Sequence, residues 1–441
     1  MFTLFGPKST CCDGFVRRDF LRAGALALGG LTLPRLLAER ARAAESGQPV
    51  RQTSVIFIEL AGGPTQFETW DPKPNAPAEY RGELSAISTR LPGVQFCELM
   101  AEQAKVADKL AVLRSVKQRS TGHDTAKHVC HTGYYLRDEL NQENEMPSTG
   151  AIVAKLRGGN APGLPAHVGV LGGMKYADAV YLGAAYNPFT VRANPAAANF
   201  KVDNLDPAGG MNFDRLADRR GLLAKLDEGR RIVDNRNLAG ALDQFTAQAF
   251  EMVTSPQARR AFDIAREPDS TRDRYGRTRT GQGMLLARRL VEAGVTFVSI
   301  NVGGWDDHAN MLPRLKPRAI DFDRGMAALA CDIHERGIDR DVLVIAMGEF
   351  GRTPKINGAA GRDHWSSVSS MVVSGGGLKM GQVIGSSNAR GEVPTSSPYE
   401  PENVLATMYR HLGIDPALAF DDYSGRPRYV LEKRDIVREL V

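Results

Sequence analysis

Residues 342–365 read VLVIAMGEFGRTPKINGAAGRDHW, and this stretch indicates both the class of the fold and the place of a site. Its first six residues, Val342 to Met347, are a continuous apolar run with β-branched side chains, which predicts a buried parallel strand. In open α/β sheets, ligands bind beyond the carboxyl ends of the strands, so the polar, Gly-rich residues that follow occupy the expected place for a site. The alternative is a surface loop in which an acid and a histidine are merely hydrogen-bonded. The candidate side chains here are Glu349, Arg352, Thr353, Asp363 and His364.

Further apolar runs alternate along the chain with helical patterns. Strands are predicted at 54–60, 110–116, 166–171, 295–302 and 368–374, and helices at 147–156, 282–293, 318–336, 403–412 and 434–440. Strands that alternate with helices form βαβ units. The sequence therefore predicts an α/β fold with a mostly parallel central sheet flanked by helices.

Polar groups follow three other predicted strands. Residues 59–71 contain Glu59, Glu68 and Asp71, and residues 303–308 read GGWDDH. Asp306 or Asp307 together with His308 would suit a divalent cation, which binds carboxylate oxygen and imidazole nitrogen. Equally, Asp71-Pro72 could simply begin a turn.

The remaining segment, residues 120–131, holds three of the eight histidines within nine residues. A helix that begins near Thr125 would place His128 and His131 on one face and leave His123 in the preceding loop. Such histidines could bind a metal, contact phosphate or sulfate, or form a packed polar network.

If these strands are neighbours, the four segments converge at one edge of the sheet. Carboxylates and imidazoles that hold one or two divalent ions, whether Ca, Mg, Mn or Zn, could then polarise an anionic ester and activate water. Arg352, Lys127 and Lys355 could neutralise the oxygens of a small-molecule or polysaccharide ester.

The N-terminus resembles an export signal. Arg17-Arg18 precedes a short apolar stretch from Ala23 to Leu33 and a small-x-small cleavage site at 41–43. This predicts a twin-arginine signal at 1–43, export of the folded protein, and a periplasmic or secreted location without an integral membrane segment. Residues 44–441 carry 49 basic and 48 acidic residues. This balance argues against a nucleic-acid partner.

We expect residues 44–441 to form a single α/β domain. Helical periodicity with charged faces predicts a helical insertion at 205–280, and the small-residue loop at 183–204 would line a pocket or cover an edge. Cys97, Cys130 and Cys331 are widely separated, so we expect core residues with at most one disulfide.

The motifs GGPTQFETWDPKP, HTGYY, WDDHAN, GEFGRTPKIN and GRDHW are similar to those of a bacterial family. The chain resembles the twin-arginine-exported domain-of-unknown-function family fifteen-oh-one, which is abundant in planctomycetes, over nearly the whole mature chain. That family is distantly related to the alkaline phosphatase and sulfatase superfamily. The resemblance implies an alkaline-phosphatase-like core and metal ligands. The implied ligands are Glu68, Asp71, Asp306, Asp307, His308, Glu349, Asp363 and His364.

The sequence departs from the superfamily at two positions. By the superfamily's spacing, His123 stands where a Cys or Ser nucleophile is usual, and Phe350 stands where a histidine is usual. Ser120, Thr121, Thr65 or a metal-bound water could attack instead, or hydrolysis has been lost. We therefore expect a metal-dependent sulfatase or phosphatase in which His123, Arg352 and Lys127 contact or protonate the anion. The alternative is a non-catalytic protein that binds sulfated polysaccharide.

Overall fold

The computed structural model describes residues 52–139, 142–202 and 255–441. The strands are β1 Ser54–Glu59, β2 Ala86–Ser88, β3 Gln95–Cys97, β4 Ala111–Val116, β5 His167–Val170, β6 Phe189–Val191, β7 Phe297–Asn301, β8 Val342–Met347, β9 Gly351–Arg352, β10 His364–Trp365, β11 Ser369–Gly375, β12 Gln382–Ile384, β13 Ser386–Ser387, β14 Pro394–Ser396, β15 Ala419–Asp421 and β16 Pro427–Tyr429. The α-helices are α1 Ala78–Arg81, α2 Ala101–Lys105, α3 His123–Thr132, α4 Thr149–Arg157, α5 Pro256–Phe262, α6 Asp269–Tyr275, α7 Arg279–Ala293, α8 Met311–Glu335 and α9 Pro401–Leu412. Short 3-10 helices cover Glu98–Met100, Ala107–Lys109, Val180–Leu182, Ala184–Tyr186, Ile264–Arg266 and Arg438–Leu440.

Eight strands form the central sheet in the order β12-β4-β11-β8-β1-β7-β5-β6. All neighbouring pairs are parallel except those of β11, which runs antiparallel to both β8 and β4. The predicted α/β class with a mostly parallel central sheet is therefore confirmed. The reversed strand β11 was predicted as a strand but not as an antiparallel one.

Both faces of the sheet are covered, which explains why its strands are apolar throughout. Alternate residues of β1 point to opposite faces: Ile56 and Ile58 join a core formed with α7 and α8, whereas Val55 and Phe57 join a core formed with α3, α4 and α9. All six residues of β8 are buried. A strand buried on both faces has no polar face, and this is the pattern that the sequence showed.

Helix boundaries follow from local chemistry in most places. Ser148 caps α4 by accepting a hydrogen bond from the backbone nitrogen of Ala151. Gly294 and Gly413 end α7 and α9 in the left-handed conformation, as their sequence positions predicted. Helix α8, however, begins well before the predicted residue 318 and contains Pro317 in its interior. Its apolar face packs against α7 and the sheet, and this packing outweighs the proline.

The predicted insertion at 205–280 lies largely outside the described residues. From residue 255 onward it contains the helices α5 and α6. Of the helix predicted at 434–440, only the 3-10 turn Arg438–Leu440 forms. The predicted signal at 1–43 also lies outside the described residues. In the part of the chain that the structure describes, no helix has the length and apolar character needed to cross a membrane.

The three cysteines of the described residues are free thiols. Cys97 and Cys130 are buried, and Cys331 is partly buried. Burial raises the pKa of Cys97 to about 12 and that of Cys130 well above its ordinary value. These two thiols therefore stay protonated at neutral pH and behave as core residues.

Candidate metal centre

The four segments with candidate side chains meet beyond the carboxyl ends of neighbouring strands. β1 lies between β7 and β8, and β4 is separated from β8 only by β11. The loops that follow β1, β7 and β8, together with the start of α3, therefore share one edge of the sheet. This is the arrangement on which the sequence prediction of a site depended.

Two glycines allow these loops to approach one another closely. Gly62 follows β1 with a φ of +116°, and a Cβ there would lie 2.6–2.8 Å from backbone atoms of Trp305 and Asp306. At Gly361, a Cβ would lie 2.1 Å from the backbone of His308. A larger residue at either position would separate the loops that carry the site.

Asp306 lies at the centre of a cluster of imidazoles. Its Oδ1 is 3.0 Å from His308 Nε2 and 3.1 Å from His364 Nε2, and its Oδ2 is 3.2 Å from His123 Nε2. The two Nε2 atoms of His308 and His364 are 3.0 Å apart. Ligand atoms of His123, Asp306 and His364 all lie within 4.8 Å of one another, a spacing that could hold a metal ion.

Each imidazole of this cluster uses its Nδ1 to contact an acceptor behind it. His123 Nδ1 contacts Glu349 Oε1 at 2.7 Å, and His308 Nδ1 contacts Asp363 Oδ1 at 2.6 Å. His364 Nδ1 contacts the carbonyl oxygen of Thr121 at 2.8 Å. A carbonyl or carboxylate oxygen only accepts, so each Nδ1 carries a proton; when the ring is neutral, its Nε2 then offers a lone pair.

Three lone pairs and a carboxylate thus face one another. His123 Nε2 is buried and has no hydrogen-bond partner. Such a group is electrostatically unfavourable unless protons or a cation lie between its members. Histidines that bind a metal typically donate their other N–H to a carboxylate or backbone carbonyl, as all three do here.

The acceptors are themselves held in place. Both carboxylate oxygens of Glu349 accept from the backbone N–H of Gly62, at 2.9 and 3.0 Å, and Glu349 is only 2 % exposed. Asp363 accepts from the side-chain amide of Asn357 at 3.2 Å. Phe350 packs against the rings of both His123 and His364, with centroids 5.0 and 4.4 Å apart. Phe350 therefore forms an apolar wall where the resemblance would place another imidazole.

The surroundings shift the pKa values of the cluster in different directions. The hydrogen bond to Glu349 raises the pKa of His123, whereas burial lowers the pKa of His364. Burial alone would raise the pKa of Asp306, but the hydrogen bonds from Arg352 and His364, together with the nearby positive charge, outweigh it, and the net shift is downward. The hydrogen bond from His308 likewise lowers the pKa of Asp363. Both carboxylates are thus ionised at neutral pH and available to a cation.

Arg352 braces the loops and is 1 % exposed. Its guanidinium donates to the carbonyl oxygens of Gly63, Arg362 and Trp305 at 2.9, 3.0 and 3.2 Å, and also to that of Gly62. It donates to Asp306 Oδ1 at 2.5 Å. Because these bonds engage its donors, Arg352 orients Asp306 and joins three loops, rather than presenting a free guanidinium to an anion.

Three predicted ligands lie in ion pairs outside this cluster. Glu68 pairs with Arg362 at 2.7 Å, and Asp307 pairs with Arg318 at 2.8 Å. Asp71 is 1 % exposed, and it pairs with Lys73 at 2.9 Å and accepts from Ser387 at 2.6 Å. Lys127 Nζ lies 3.8 Å from Glu349 Oε1.

The other two histidines of the 120–131 segment are core residues. His128 and His131 are 0 % and 3 % exposed, and His131 Nε2 lies 3.2 Å from Glu59 Oε1. Helix α3 begins at His123, two residues earlier than predicted, and this start brings His123 to the cluster instead. The carbonyl of Thr121 and the N–H of Gly62 were not predicted as site groups, because no side-chain pattern marks a backbone contact.

Two of the alternative nucleophiles are already hydrogen-bonded elsewhere. Thr65 is 4 % exposed, and its hydroxyl donates to Glu68. The Ser120 hydroxyl donates to Glu139 at 3.3 Å. The structure therefore offers neither as a free hydroxyl beside Asp306.

A cleft of 480 Å³ adjoins the cluster through Asp363. Tyr80, Lys355, Asn357 and Trp365 line it. The indole nitrogen of Trp365 donates to the carbonyl oxygen of Glu392 at 2.8 Å, which fixes the ring. This cleft has the aromatic and cationic groups that could receive the organic part of an anionic ester.

Comparison with known proteins gives a family and several structural similarities. The family described as Protein of unknown function (DUF1501) matches residues 52–441. No curated protein sequence matches the chain.

Three solved structures illustrate these similarities. One is Ps i-CgsB in complex with k-i-k-neocarrahexaose, at 11% identity and a TM-score of 0.40, over 82% of this chain and 72% of that one. Another is the PsFucS1 sulfatase from Pseudoalteromonas sp., at 11% identity and a TM-score of 0.39, over 89% of this chain and 73% of that one. The third is a mutant of TAB5 alkaline phosphatase with Mg bound in its M3 site, at 11% identity and a TM-score of 0.35, over 83% of this chain and 100% of that one.

Proposed function

This chain belongs to the DUF1501 family of proteins of unknown function, and we propose that it is a metal-dependent hydrolase of a sulfate or phosphate ester. One observation carries this proposal. Three imidazole Nε2 lone pairs and the Asp306 carboxylate converge beyond the carboxyl ends of the central strands, with every Nδ1 proton held by an acceptor.

The donor set fits a divalent cation. Imidazole nitrogen together with a single carboxylate suits Zn²⁺ better than Ca²⁺, Mg²⁺ or Mn²⁺, which prefer shells rich in oxygen. Asp306, His364 and His123 would hold the ion, and His308 lies close enough to Asp306 to complete or exchange a position. When bound, such an ion polarises the ester oxygen and lowers the pKa of water.

The residues of the chain supply orientation and charge. Glu349 and Asp363 keep the Nδ1 protons in place, so the lone pairs stay directed at the centre. Arg352 fixes Asp306 through its hydrogen bond. Lys127 is 3.8 Å from Glu349 on the first turns of α3, where it could neutralise an ester oxygen.

We also propose that the ester lies with its organic part in the cleft beside Asp363, where Trp365 offers a ring face and Lys355 a positive charge. The arginine pair at 17–18 supports export of the folded protein by the twin-arginine route to the periplasm or beyond. An exported location is consistent with a polysaccharide ester as the substrate.

The test combines metal content with turnover. Protein lacking residues 1–43 is dialysed, its metals are measured by elemental analysis, and 4-nitrophenyl sulfate and 4-nitrophenyl phosphate are offered as substrates. We expect one or two divalent ions per chain and turnover of one ester, both lost in His364→Ala. The matched control is His334→Ala, which removes an imidazole at the end of α8 that is bonded to the carbonyl of Ala330. A metal-free wild type under metal-replete conditions would overturn the proposal.

A second candidate function has its own support. Phe350 covers the side of the cluster where the resemblance implies a further imidazole, and Thr65 and Ser120 are bonded elsewhere. A protein that binds sulfated polysaccharide without turnover would need the cleft and the positive charges but no nucleophile. Binding of a sulfated glycan by a wild type that hydrolyses neither ester would favour this function.

A further inference from the structure

His308 is the most exposed imidazole of the metal centre. Its side chain is 45% exposed, and the side chain of Asp363, which accepts from its Nδ1, is 53% exposed. The side chains of His123 and His364 are 30% and 21% exposed. An exposed side chain normally samples several rotamers, so a fixed orientation of His308 depends on a further contact that restrains it.

Asn357 restrains His308 at both its backbone and its side chain. The Nδ2 of Asn357 donates to the backbone carbonyl oxygen of His308 at 2.9 Å and to Asp363 Oδ2 at 3.2 Å. The other oxygen of Asp363 contacts His308 Nδ1 at 2.6 Å. These contacts form a closed ring that starts at the backbone of His308 and returns to its imidazole. The ring therefore fixes the imidazole relative to the main chain that carries it.

The amide oxygen of Asn357 has a different role, because it shapes the turn at 357–361. This Oδ1 accepts from the backbone N–H groups of Ala359 and Gly361, both at 3.0 Å. An acceptor oxygen is all that such a turn requires from the side chain. The two halves of the amide thus have separate roles: the oxygen serves the turn, and the nitrogen serves His308.

The turn is also bonded to the loop that carries His308. The backbone N–H groups of Asn310 and Met311 donate to the carbonyl oxygens of Ala359 and Ala360, at 2.8 and 3.0 Å. Asn310 and Ala360 have positive φ angles of +43° and +55°. Non-glycine residues in this conformation persist only where their surroundings over-determine them, and they cluster at functional sites. The contact between the two loops is therefore closely constrained.

We propose that Asn357 is a positioning residue that holds His308 as the fourth group of the metal centre. The amide orients the imidazole through Asp363, so that its Nε2 stays 3.0 Å from Asp306 Oδ1. Fixing an exposed side chain before an ion arrives reduces the conformational entropy that is lost on binding. This inference rests on the proposed function, because it concerns the same centre.

Zinc, titrated into the full chain in competition with a chromophoric chelator, tests this role. Asn357→Ser keeps a hydroxyl oxygen that can accept within the turn, but it removes the amide donor. We expect it to weaken zinc affinity by about tenfold, the lower end of the loss caused by removing a group that supports a metal ligand. The matched control is Asn388→Ser. Asn388 donates to a carboxylate oxygen of Glu392 at 2.8 Å and accepts from its backbone N–H at 2.7 Å, so this variant should bind zinc like the wild type.

A double-mutant cycle separates positioning from a purely structural effect on the turn. If Asn357 acts through His308, Asn357→Ser should change zinc affinity by less than about twofold in a His308→Ala background. A full loss that persists in that background, or a wild-type affinity of Asn357→Ser, would overturn this proposal and leave the metal centre itself in place. A wild type that takes up no zinc would overturn the centre, and this inference with it.

Asp363→Ala keeps the test decisive if Asn357→Ser does not fold. It opens the same ring of contacts at an exposed side chain and leaves the side chain of Asn357 in the turn. We expect a loss of about tenfold in zinc affinity, and no further loss when His308→Ala is also present. Equal affinities of Asp363→Ala and the wild type would contradict the proposal. So would a loss that persists beside His308→Ala, because Asp363 would then act independently of His308.

Discussion

Replacement of Glu68 by glutamine tests whether this residue is a metal ligand, as the sequence suggests, or the partner of a buried arginine. In the structure, Glu68 Oε1 accepts from Arg362 Nη2 at 2.7 Å, and the two side chains are 2 % and 0 % exposed. The Arg362 guanidinium also donates to the carbonyl oxygens of Tyr80 and Thr353 and stacks on Phe67 at 4.2 Å. Glu68 is therefore the acidic counter-charge in this group of contacts.

The magnitude follows from this burial. Removing one partner of a buried ion pair costs ~3–5 kcal/mol, because the remaining charge is left uncompensated. The Glu68→Gln variant keeps one carbonyl acceptor for Arg362, and the other acceptors remain. We therefore expect the free energy of unfolding to fall by about 3 kcal/mol, at the lower end of that range.

Urea unfolding, followed by circular dichroism, measures the change, and elemental analysis of the dialysed variant measures its metal content. The control is Glu335→Gln, which breaks an ion pair with Arg274 whose side chains are 55% and 39% exposed and which should cost less than ~1 kcal/mol. A Glu68→Gln variant with wild-type stability would refute the structural role. If that variant also lost its metal, Glu68 would be a ligand, as the sequence suggested.

Three further predictions concern other parts of the molecule. Glu349→Gln should weaken metal affinity by about 10–100-fold while the fold persists, because His123 loses the carboxylate that orients it; equal affinities in a chelator competition would contradict this. His167 has a folded-state pKa of about 3, below its unfolded value of ~6.5. Below pH ~6.5 the unfolded protein therefore binds a proton that the folded protein does not, and the free energy of unfolding falls by about 1.4 kcal/mol per pH unit. Urea midpoints between pH 7 and 5 should thus fall less in His167→Phe than in the wild type, and parallel curves would refute the assignment. Ser148→Ala should lower the free energy of unfolding by ~1–2 kcal/mol, because it removes the α4 cap and the hydroxyl's hydrogen bond to the carbonyl oxygen of Ala177; an unchanged urea midpoint would contradict this.

Strands were the most predictable part of the fold. Val342–Met347 was identified to the residue, because a strand buried on both faces is apolar throughout and ends where the polar loop begins. The interior of α8 was predictable, but its start was not. Pro317 argues locally against a helix, and only the packing of α8 on α7 and the sheet overrides that preference.

The site was partly predictable for a similar reason. Parallel strands carry the residues after their carboxyl ends to one edge, so the convergence of 303–308 and 349–364 followed from the fold class. The fold class could not, however, predict which of the acidic residues pair with arginines. In the sequence, Glu68 and Asp307 look like metal ligands, because each is an acid shortly after a predicted strand. Only the tertiary structure places Arg362 and Arg318 beside them. His128 and His131 show the same limit of sequence-based prediction. Their i, i+3 spacing places them on one face of a helix but does not say whether that face lies towards a site or towards the core.

The reversal of β11 has a consequence for how the centre could be lost. Residues 348–368 leave β8 and return into β11, and the two strands pair antiparallel. The loop that carries Glu349 and His364 therefore has both ends clamped at the same place on the sheet. Local opening of β11 would free the far end of this loop and release His364, while Glu349 stayed beside the paired strand β8. Hydrogen exchange of the β11 amides thus gives an upper limit to the lifetime of the assembled centre.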